Sequence, residues 1–223
     1  MSRVTTVRPV RHERRSKTNA AVATACRLVG GALARALFAV RVEGAEHVPA
    51  HEPVVLAGNH TGFLDGPLVF LLAPRRTGVL AKAEIFVGPW PRLWARLDVV
   101  PVHRGTPDRA ALRAGLAVLT GGGALTVFPE GTRGSGSLDS VTDGVAWLAL
   151  RSGADVVPVA LSGTAQALPR GTWRPRLRTP VTIRFGAPLR IHPVGDPRAR
   201  STVRTAAEQI RAHLLRHVSA SAS

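Results

Sequence analysis

Two short stretches carry side chains whose types and spacing can do chemistry. In "VVLAGNHTGFLDGP", residues 54–67, an apolar run stops at Gly58-Asn59, and His60 is followed five positions later by Asp65. A carboxylate that holds one imidazole nitrogen leaves the other to accept a proton, and histidine titrates near pH 6.5 when unperturbed, so such a pair is a workable general base. Positions five apart on a regular helix point about 140° away from each other. The pair therefore needs a turn, which Gly62 permits. A histidine closing a loop and an aspartate capping the next helix would leave the same trace in sequence. In "FPEGTRG", residues 128–134, Glu130 and Arg133 lie three apart on a glycine-bearing loop. The arginine can form a two-pronged contact with phosphate or carboxylate, and the glutamate can orient it or accept from a substrate hydroxyl. A surface salt bridge on a turn would read alike. Arg104 closes "VPVHRG", and Lys82 in "AKAEIF" adds a point charge that alone would simply be solvated.

These residues sit where strands give out. "PVVLAG" (53–58), "TGVLAKA" (77–83), "DVVPVHR" (98–104), "ALTVFPEG" (124–131) and "ADVVPVAL" (154–161) read as strands. "DGPLVFLLA" (65–73), "PRLWARL" (91–97), "DRAALRAGLAVLTGGG" (108–123) and "DGVAWLALRSG" (143–153) read as helices. "TPVTIRFGAPLRI" (179–191) supplies one or two further strands, and Asp196-Pro197 opens a last helix. Such alternation predicts an α/β fold: a single domain with a largely parallel mixed sheet flanked by helices. Loops at the carboxyl ends of parallel strands form the site in such sheets, so segments distant in sequence are expected to converge. Before the domain, residues 18–41 have helical periodicity, with Val22, Cys26, Val29, Leu33, Leu37 and Val40 on one face. Packing on the domain and lying on a membrane surface both fit this amphipathic helix. The expected organisation is a basic flexible arm over 1–17, the amphipathic helix over 18–41, a catalytic domain over 42–218 and a disordered tail over 219–223.

The blocks resemble a known family. "NHTGFLD" is similar to the NHx4D block of the glycerophospholipid acyltransferases, the 1-acylglycerol-3-phosphate acyltransferase superfamily. "VPVHRG" resembles its second block, "FPEGTRG" its third and "VVPVAL" its fourth, in the family's order and over roughly residues 40–190. The resemblance implies that His60 deprotonates a glycerol hydroxyl, which attacks an acyl thioester directly, and that Asp65 orients the histidine. It implies that Arg104 and the third-block residues Glu130, Gly131, Thr132 and Arg133, with help from Lys82, hold the glycerol phosphate. Backbone amides near Gly131 become candidates for the developing oxyanion. The implied donor is acyl-CoA or acyl-carrier protein, with no cofactor and no metal. The implied acceptor is a lysophospholipid, with 1-acylglycerol-3-phosphate giving phosphatidic acid as the leading case. The expected location is peripheral, on the cytoplasmic face of the cell membrane. Two departures stand out: Gly62 occupies a position where many relatives have serine, and Thr142-Asp143-Gly144 stands where many carry a basic residue and glycine.

Composition bounds the alternatives. The 223 residues suffice for one domain with a full core, and an apolar fraction of 45% argues against disorder. The formal charge is +16, and only Lys17 and Lys82 among the 30 basic residues are not arginine. An anionic partner fits that charge, although biased genome composition also produces an arginine excess. A basic nucleic-acid-binding protein, or an anionic-membrane-binding protein without catalysis, is the alternative reading. Residues 168–223 favour it with eleven arginines against two acidic residues. Aromatics at 4% and the lack of tyrosine make poor stacking material, so no nucleic-acid partner is expected. A single cysteine, Cys26, excludes an intramolecular disulfide framework. Arg27 and Arg35 interrupt the best candidate for a membrane span, Thr18–Val40. His47/His51 have Pro49 between them, which spoils helical pairing, and His213/His217 share a helix face without an evident third ligand.

Overall fold

A computed structural model describes residues 10–82, 97, 99–102, 108–131, 134, 136, 138 and 141–221, with backbone only for 10–19 and Lys82. Helix α1 (Val10–Leu37) leads into strand β1 (Ala39–Glu43). Strand β2 (Val54–Gly58), helix α2 (Asp65–Leu72) and strands β3 (Thr77–Lys82) and β4 (Val99–Val102) follow. Helix α3 (Arg109–Thr120), strand β5 (Ala124–Val127), helix α4 (Asp143–Ser152) and strand β6 (Asp155–Ser162) continue the alternation. A short turn of helix α5 (Thr164–Ala167), strand β7 (Pro180–Phe185) and helix α6 (Arg200–Ala220) complete the fold.

Among the described residues the sheet has seven strands in the order β1-β7-β6-β2-β5-β3-β4. Every pairing is parallel except β6 with β7, so the mixed, largely parallel sheet read from sequence is present. β2, β5 and most of β6 are buried on both faces. That is why they read as unbroken Val/Leu/Ala runs rather than alternating ones. Val54 and Leu56 pack with α1 and α2, while Val55 and Ala57 pack with α3, α4 and α6. The result is three layers. Local chemistry places the helix ends: the Asp108 carboxylate accepts from the Ala110 and Ala111 amides at 2.9 and 3.0 Å, a side-chain N-cap for α3. Several arginines that swell the net charge are consumed within the fold. Arg75 donates to the carbonyls of Pro49, Glu52 and Gly122 at 2.7–2.9 Å, and Arg211 to that of Leu138 at 2.8 Å.

Three expectations change. The helix starts at Val10, so residues 10–17 are helical rather than arm. Their Arg, Lys and Glu are good helix formers, and charge alone does not stop a helix. At the other end α6 runs to Ala220, into the expected tail. The third change concerns orientation. Of the face assigned from periodicity, Val29 and Leu33 are 71% and 57% exposed, as is Leu28 at 71%. The side that packs on α2 carries Ala23, Gly31 and Ala34, all buried, with Gly30 against Leu71. Small residues let two helix backbones approach, and that close contact decided the orientation. Arg27 lies on this inner side and its Nη2 donates to the Ala73 carbonyl at the end of α2. Burial, and then the neighbouring Arg76 charge, lowers the Arg27 pKa. Ala20–Leu37, 18 residues with mean hydropathy 1.4 and 17% buried, is long and apolar enough to cross a membrane by length and composition, despite its two arginines.

Candidate active site

The tips of β2, β5, β6, β3 and β4 lie along one edge of the sheet, because these five strands run parallel. β2 sits at the middle, between β6 and β5. Its tip is tied down by Asn59, a buried side chain that extends the ladder after the strand ends. Asn59 Oδ1 accepts from the Leu161 amide at 2.8 Å, and its Nδ2 donates to the Leu161 carbonyl at 3.0 Å. Sequence reading passed over Asn59, although its position between strand and histidine was the available signal.

The chain then turns sharply into α2, and Asp65 is the first residue of that helix. One carboxylate oxygen, Oδ2, gathers three contacts: the Thr61 amide at 2.7 Å, the Gly62 amide at 2.8 Å and His60 Nδ1 at 2.8 Å. Asp65 is fully buried and the His60 side chain is 14% exposed. With Nδ1 donating to the carboxylate, Nε2 carries the lone pair. The alternative of two unrelated caps is thereby answered: the aspartate organises the helix start and holds the imidazole with the same oxygen. The His60 ring also stacks on Phe128 from the β5 tip, with centroids 4.4 Å apart and planes 22° apart. The ring is thus held at its Nδ1 edge by Asp65 of α2 and covered on one face by the residue that follows β5.

Gly62 has a steric reason. A Cβ there would lie 2.9 Å from both the Ala165 amide nitrogen and Thr164 Oγ1. Serine cannot enter without moving α5 away, and Thr61 and Thr164 instead share a hydroxyl contact of 3.1 Å at this junction.

The third block meets the first as sequence predicts. Glu130 Oε1 accepts from the His60 amide at 2.9 Å, and the Gly134 amide donates to the His60 carbonyl at 2.9 Å. Glu130 therefore grips the backbone of the histidine, a contact that sequence reading did not foresee. Gly131 takes φ of 68°, in the left-handed region where glycine carries no Cβ penalty, and closes a turn by donating to the Phe128 carbonyl at 3.0 Å. That bond uses the Gly131 amide within its own turn, so among the amides expected to serve an oxyanion this one is occupied. Lys82 ends β3 on the same edge. The Lys82 side chain, Arg104, Thr132 and Arg133 lie outside the described residues.

Among the described residues no three His, Cys, Asp or Glu side chains are grouped to hold a metal. His47 Nδ1, His213 Nε2 and His217 Nε2 each contact a backbone carbonyl around the end of β7, at 3.0, 2.9 and 3.0 Å. Those histidines fasten the short helical turn at Ala45–His47 and helix α6 to the sheet.

With strand tips, imidazole and carboxylate in this arrangement, comparison with other proteins decides the family. The family model described as Acyltransferase matches residues 39–162, more than half of the chain. The chain belongs to the acyltransferase family. It is 32% identical over 155 residues to a 1-acyl-sn-glycerol-3-phosphate acyltransferase of Limnanthes alba, covering 67% of this chain and 54% of that protein. It is 32% identical over 142 residues to a chloroplastic 1-acyl-sn-glycerol-3-phosphate acyltransferase of Arabidopsis thaliana, covering 60% of this chain and 39% of that one. The chain thus spans about half the length of these plant relatives or less. The crystal structure of the 1-acyl-sn-glycerophosphate acyltransferase from Thermotoga maritima superposes with a TM-score of 0.70. At 24% identity it covers 97% of this chain and 85% of that one, and so shares the acyltransferase fold.

Proposed function

We propose that this acyltransferase moves a fatty acyl group from a thioester, acyl-CoA or acyl-carrier protein, to the free hydroxyl of 1-acylglycerol-3-phosphate, forming phosphatidic acid. One observation carries the reading: His60 Nδ1 is bound to buried Asp65, so Nε2 is the basic nitrogen at the middle of the strand-tip edge. His60 takes the hydroxyl proton as the oxygen attacks the thioester carbon. The tetrahedral intermediate collapses, the C–S bond breaks, and the imidazolium returns the proton to the departing thiolate. No acyl-enzyme forms. The acceptor's phosphate is held from the β5, β3 and β4 side, by Arg133, Arg104 and Lys82 with Glu130, Gly131 and Thr132 shaping the loop. Anchoring the phosphate places the hydroxyl at the base, and positioning of this kind contributes more than the proton transfer itself.

The same reading places the protein on the cytoplasmic surface of a membrane, with residues 42–218 as the catalytic domain. Its support is the outward side of α1, where Ala21, Ala25, Leu28, Val29, Ala32, Leu33 and Ala36 form an exposed apolar stripe bordered by Thr24 and Arg35. The opposite side of the helix is engaged with α2, which favours lying in the interface over spanning it. Residues 1–17 add six basic side chains suited to anionic headgroups.

The test is transfer of labelled acyl groups from acyl-CoA and from acyl-carrier protein to a panel of lysophospholipids. The expected outcome is product with 1-acylglycerol-3-phosphate exceeding that with any uncharged-headgroup lysolipid. Faster turnover of another headgroup would replace the acceptor, and no transfer to any would remove the activity.

A further inference from the structure

Seven large apolar side chains stand exposed among the described residues, and they are not scattered. Leu28, Val29 and Leu33 belong to the α1 stripe. Trp173 at 85% exposed and Leu177 at 64% lie in the loop from α5 to β7, residues 168–179. Phe63, 44% exposed, packs edge-on against Trp173, and only Val194 falls outside these two groups. We infer that this loop, with Phe63, is a second membrane-contact element. Trp173 and Leu177 enter the headgroup boundary of an anionic phospholipid bilayer, Arg174 and Arg176 bind its headgroups, and the turn that carries His60 is thereby set against the lipid surface. This last step rests on the acyltransferase reading above, since an enzyme gains from it only when its acceptor resides in the bilayer.

The composition of the loop argues for lipid. It reads "LPRGTWRPRLRT", with four exposed arginines, and no acidic residue lies between Asp155 and Asp196. An indole placed at headgroup level buries its apolar body and keeps its N–H wet, while guanidinium groups pair with lipid phosphates. Continuity with α1 favours a bilayer over an anionic protein partner. The Arg178 amide donates to the carbonyl of Leu37, the last residue of α1, at 2.7 Å. The loop therefore adjoins the end of the helix whose outward side is already apolar, and one extended surface can receive both.

The loop is held in place. The Arg176 amide donates to the Ala167 carbonyl at 2.8 Å, and the Thr179 hydroxyl to the Arg176 carbonyl at 2.7 Å. Arg178 takes φ of 61°, a left-handed conformation that an arginine keeps only where its surroundings fix it. The Phe63 and Trp173 rings meet with centroids 6.0 Å apart and planes at 72°, the edge-to-face geometry that aromatic pairs favour. Side chains ordered beforehand lose less freedom on binding. The loop also reaches the turn of the base twice. Phe63 lies in that turn, between His60 and Asp65. Arg170 Nη2 reaches the Gly134 carbonyl at 3.4 Å, and the Gly134 amide donates to the His60 carbonyl at 2.9 Å. A bilayer that receives Trp173 thus lies one aromatic pair away from the turn that holds His60.

Two double variants of the full chain test the contact, Trp173→Ala with Leu177→Ala, and Arg174→Glu with Arg176→Glu. All four side chains are exposed, so wild-type melting temperatures are expected. Each protein is sedimented with vesicles of phosphatidylcholine and phosphatidylglycerol, and with vesicles of phosphatidylcholine alone. The apolar variant should weaken partition about tenfold on both, and the charge-reversed variant at least about tenfold on the anionic vesicles only. Indole emission should shift to the blue on vesicle binding and be quenched by acyl-chain-brominated lipid, and Trp173→Phe should lose much of both responses. Acyl transfer is then compared between 1-acylglycerol-3-phosphate embedded in vesicles and a short-chain analogue dissolved as monomers. Both double variants should lose about tenfold with the embedded acceptor and stay within about twofold with the dissolved one. Unchanged partition in both, or a Trp173→Phe emission response equal to wild type, overturns the contact. Normal vesicle binding with a loss confined to a protein-borne donor assigns the arginines to that donor and overturns it too. Equal losses with embedded and dissolved acceptor remove the orientation of the site. Vesicle binding through Trp173 without transfer to any lysolipid keeps the contact and loses the acyltransferase reading. Wild-type transfer in every format with unchanged partition keeps the reading and loses the contact.

Discussion

The turn between β2 and α2 and the outer side of α1 are opposite solutions to exposure. In the turn, polar groups are drawn inward and tied: three contacts converge on one Asp65 oxygen, and Glu130 and Gly134 secure the backbone of His60. On α1, apolar groups are turned outward and left uncovered by the described residues, with Leu28 and Val29 each 71% exposed. Buried polar groups must be paired, and large apolar patches left in the open mark an interaction surface. The first region is built to fix one atom in space. The second presents an apolar surface that no described residue covers.

The strongest way to break that contrast is to remove the base. His60→Ala should lower kcat by 10²–10⁴-fold or more, the usual range for a lost general base, with the melting temperature nearly unchanged. Turnover within a few-fold of wild type would show that the fixed atom is not the reacting one. Asp65→Asn comes next, because an amide cannot accept from two backbone amides and the imidazole in the same way. Loss of roughly 1.5–3 kcal/mol of stability is expected from denaturant titration, with a drop in kcat of about 10²-fold. Equal activity would mean that the carboxylate serves the helix start alone.

The α1 side is sharpened by charging it. Leu28→Glu, Val29→Glu and Leu33→Glu together should weaken partition to anionic vesicles by at least about tenfold, since each loses the transfer of an apolar side chain. Solubility should rise and the melting temperature stay put. Unchanged vesicle binding would leave the basic residues as the sole attachment. The smallest expected effect lies at His217, whose pKa is lowered chiefly by burial, against a partly offsetting bond to the Arg184 carbonyl. Its neutral form is the one the folded chain favours. The unfolded chain therefore binds more protons, and stability is fully present above about pH 6.5 and declines as pH falls below it. His217→Gln should flatten that decline in urea titrations between pH 7 and 5, and an unchanged slope would assign the pH dependence elsewhere.

Much of the fold could be read before any coordinates. Parallel strands covered on both faces must be apolar throughout, so "VVLAG" and "VVPVAL" declared themselves, and "DRAALRAGLAVLTGGG" read as a helix through its periodicity and glycine stop, while its Asp108 cap appeared only in the structure. The His60/Asp65 pair was legible because its members are five residues apart, close enough that one turn joins them. Glu130 was legible as a member of the site but not as the acceptor for the His60 amide, which depends on β5 lying beside β2. Asn59 and Phe128 stayed hidden for the same reason, as each acts on a strand seventy or more residues from it along the chain or by stacking across strands.

Sequence by itself determined composition, period and local chemistry: which segments are apolar enough for a buried sheet, where helices start, and which side chains can exchange a proton. Tertiary structure decided neighbours. It set the strand order that gives His60 two flanks, and it turned the small-residue side of α1 toward α2 although both sides of that helix are apolar. The physical reason is range. Periodicity and caps are properties of a few consecutive residues, whereas the choice between two comparable apolar faces depends on a partner surface that exists only after folding.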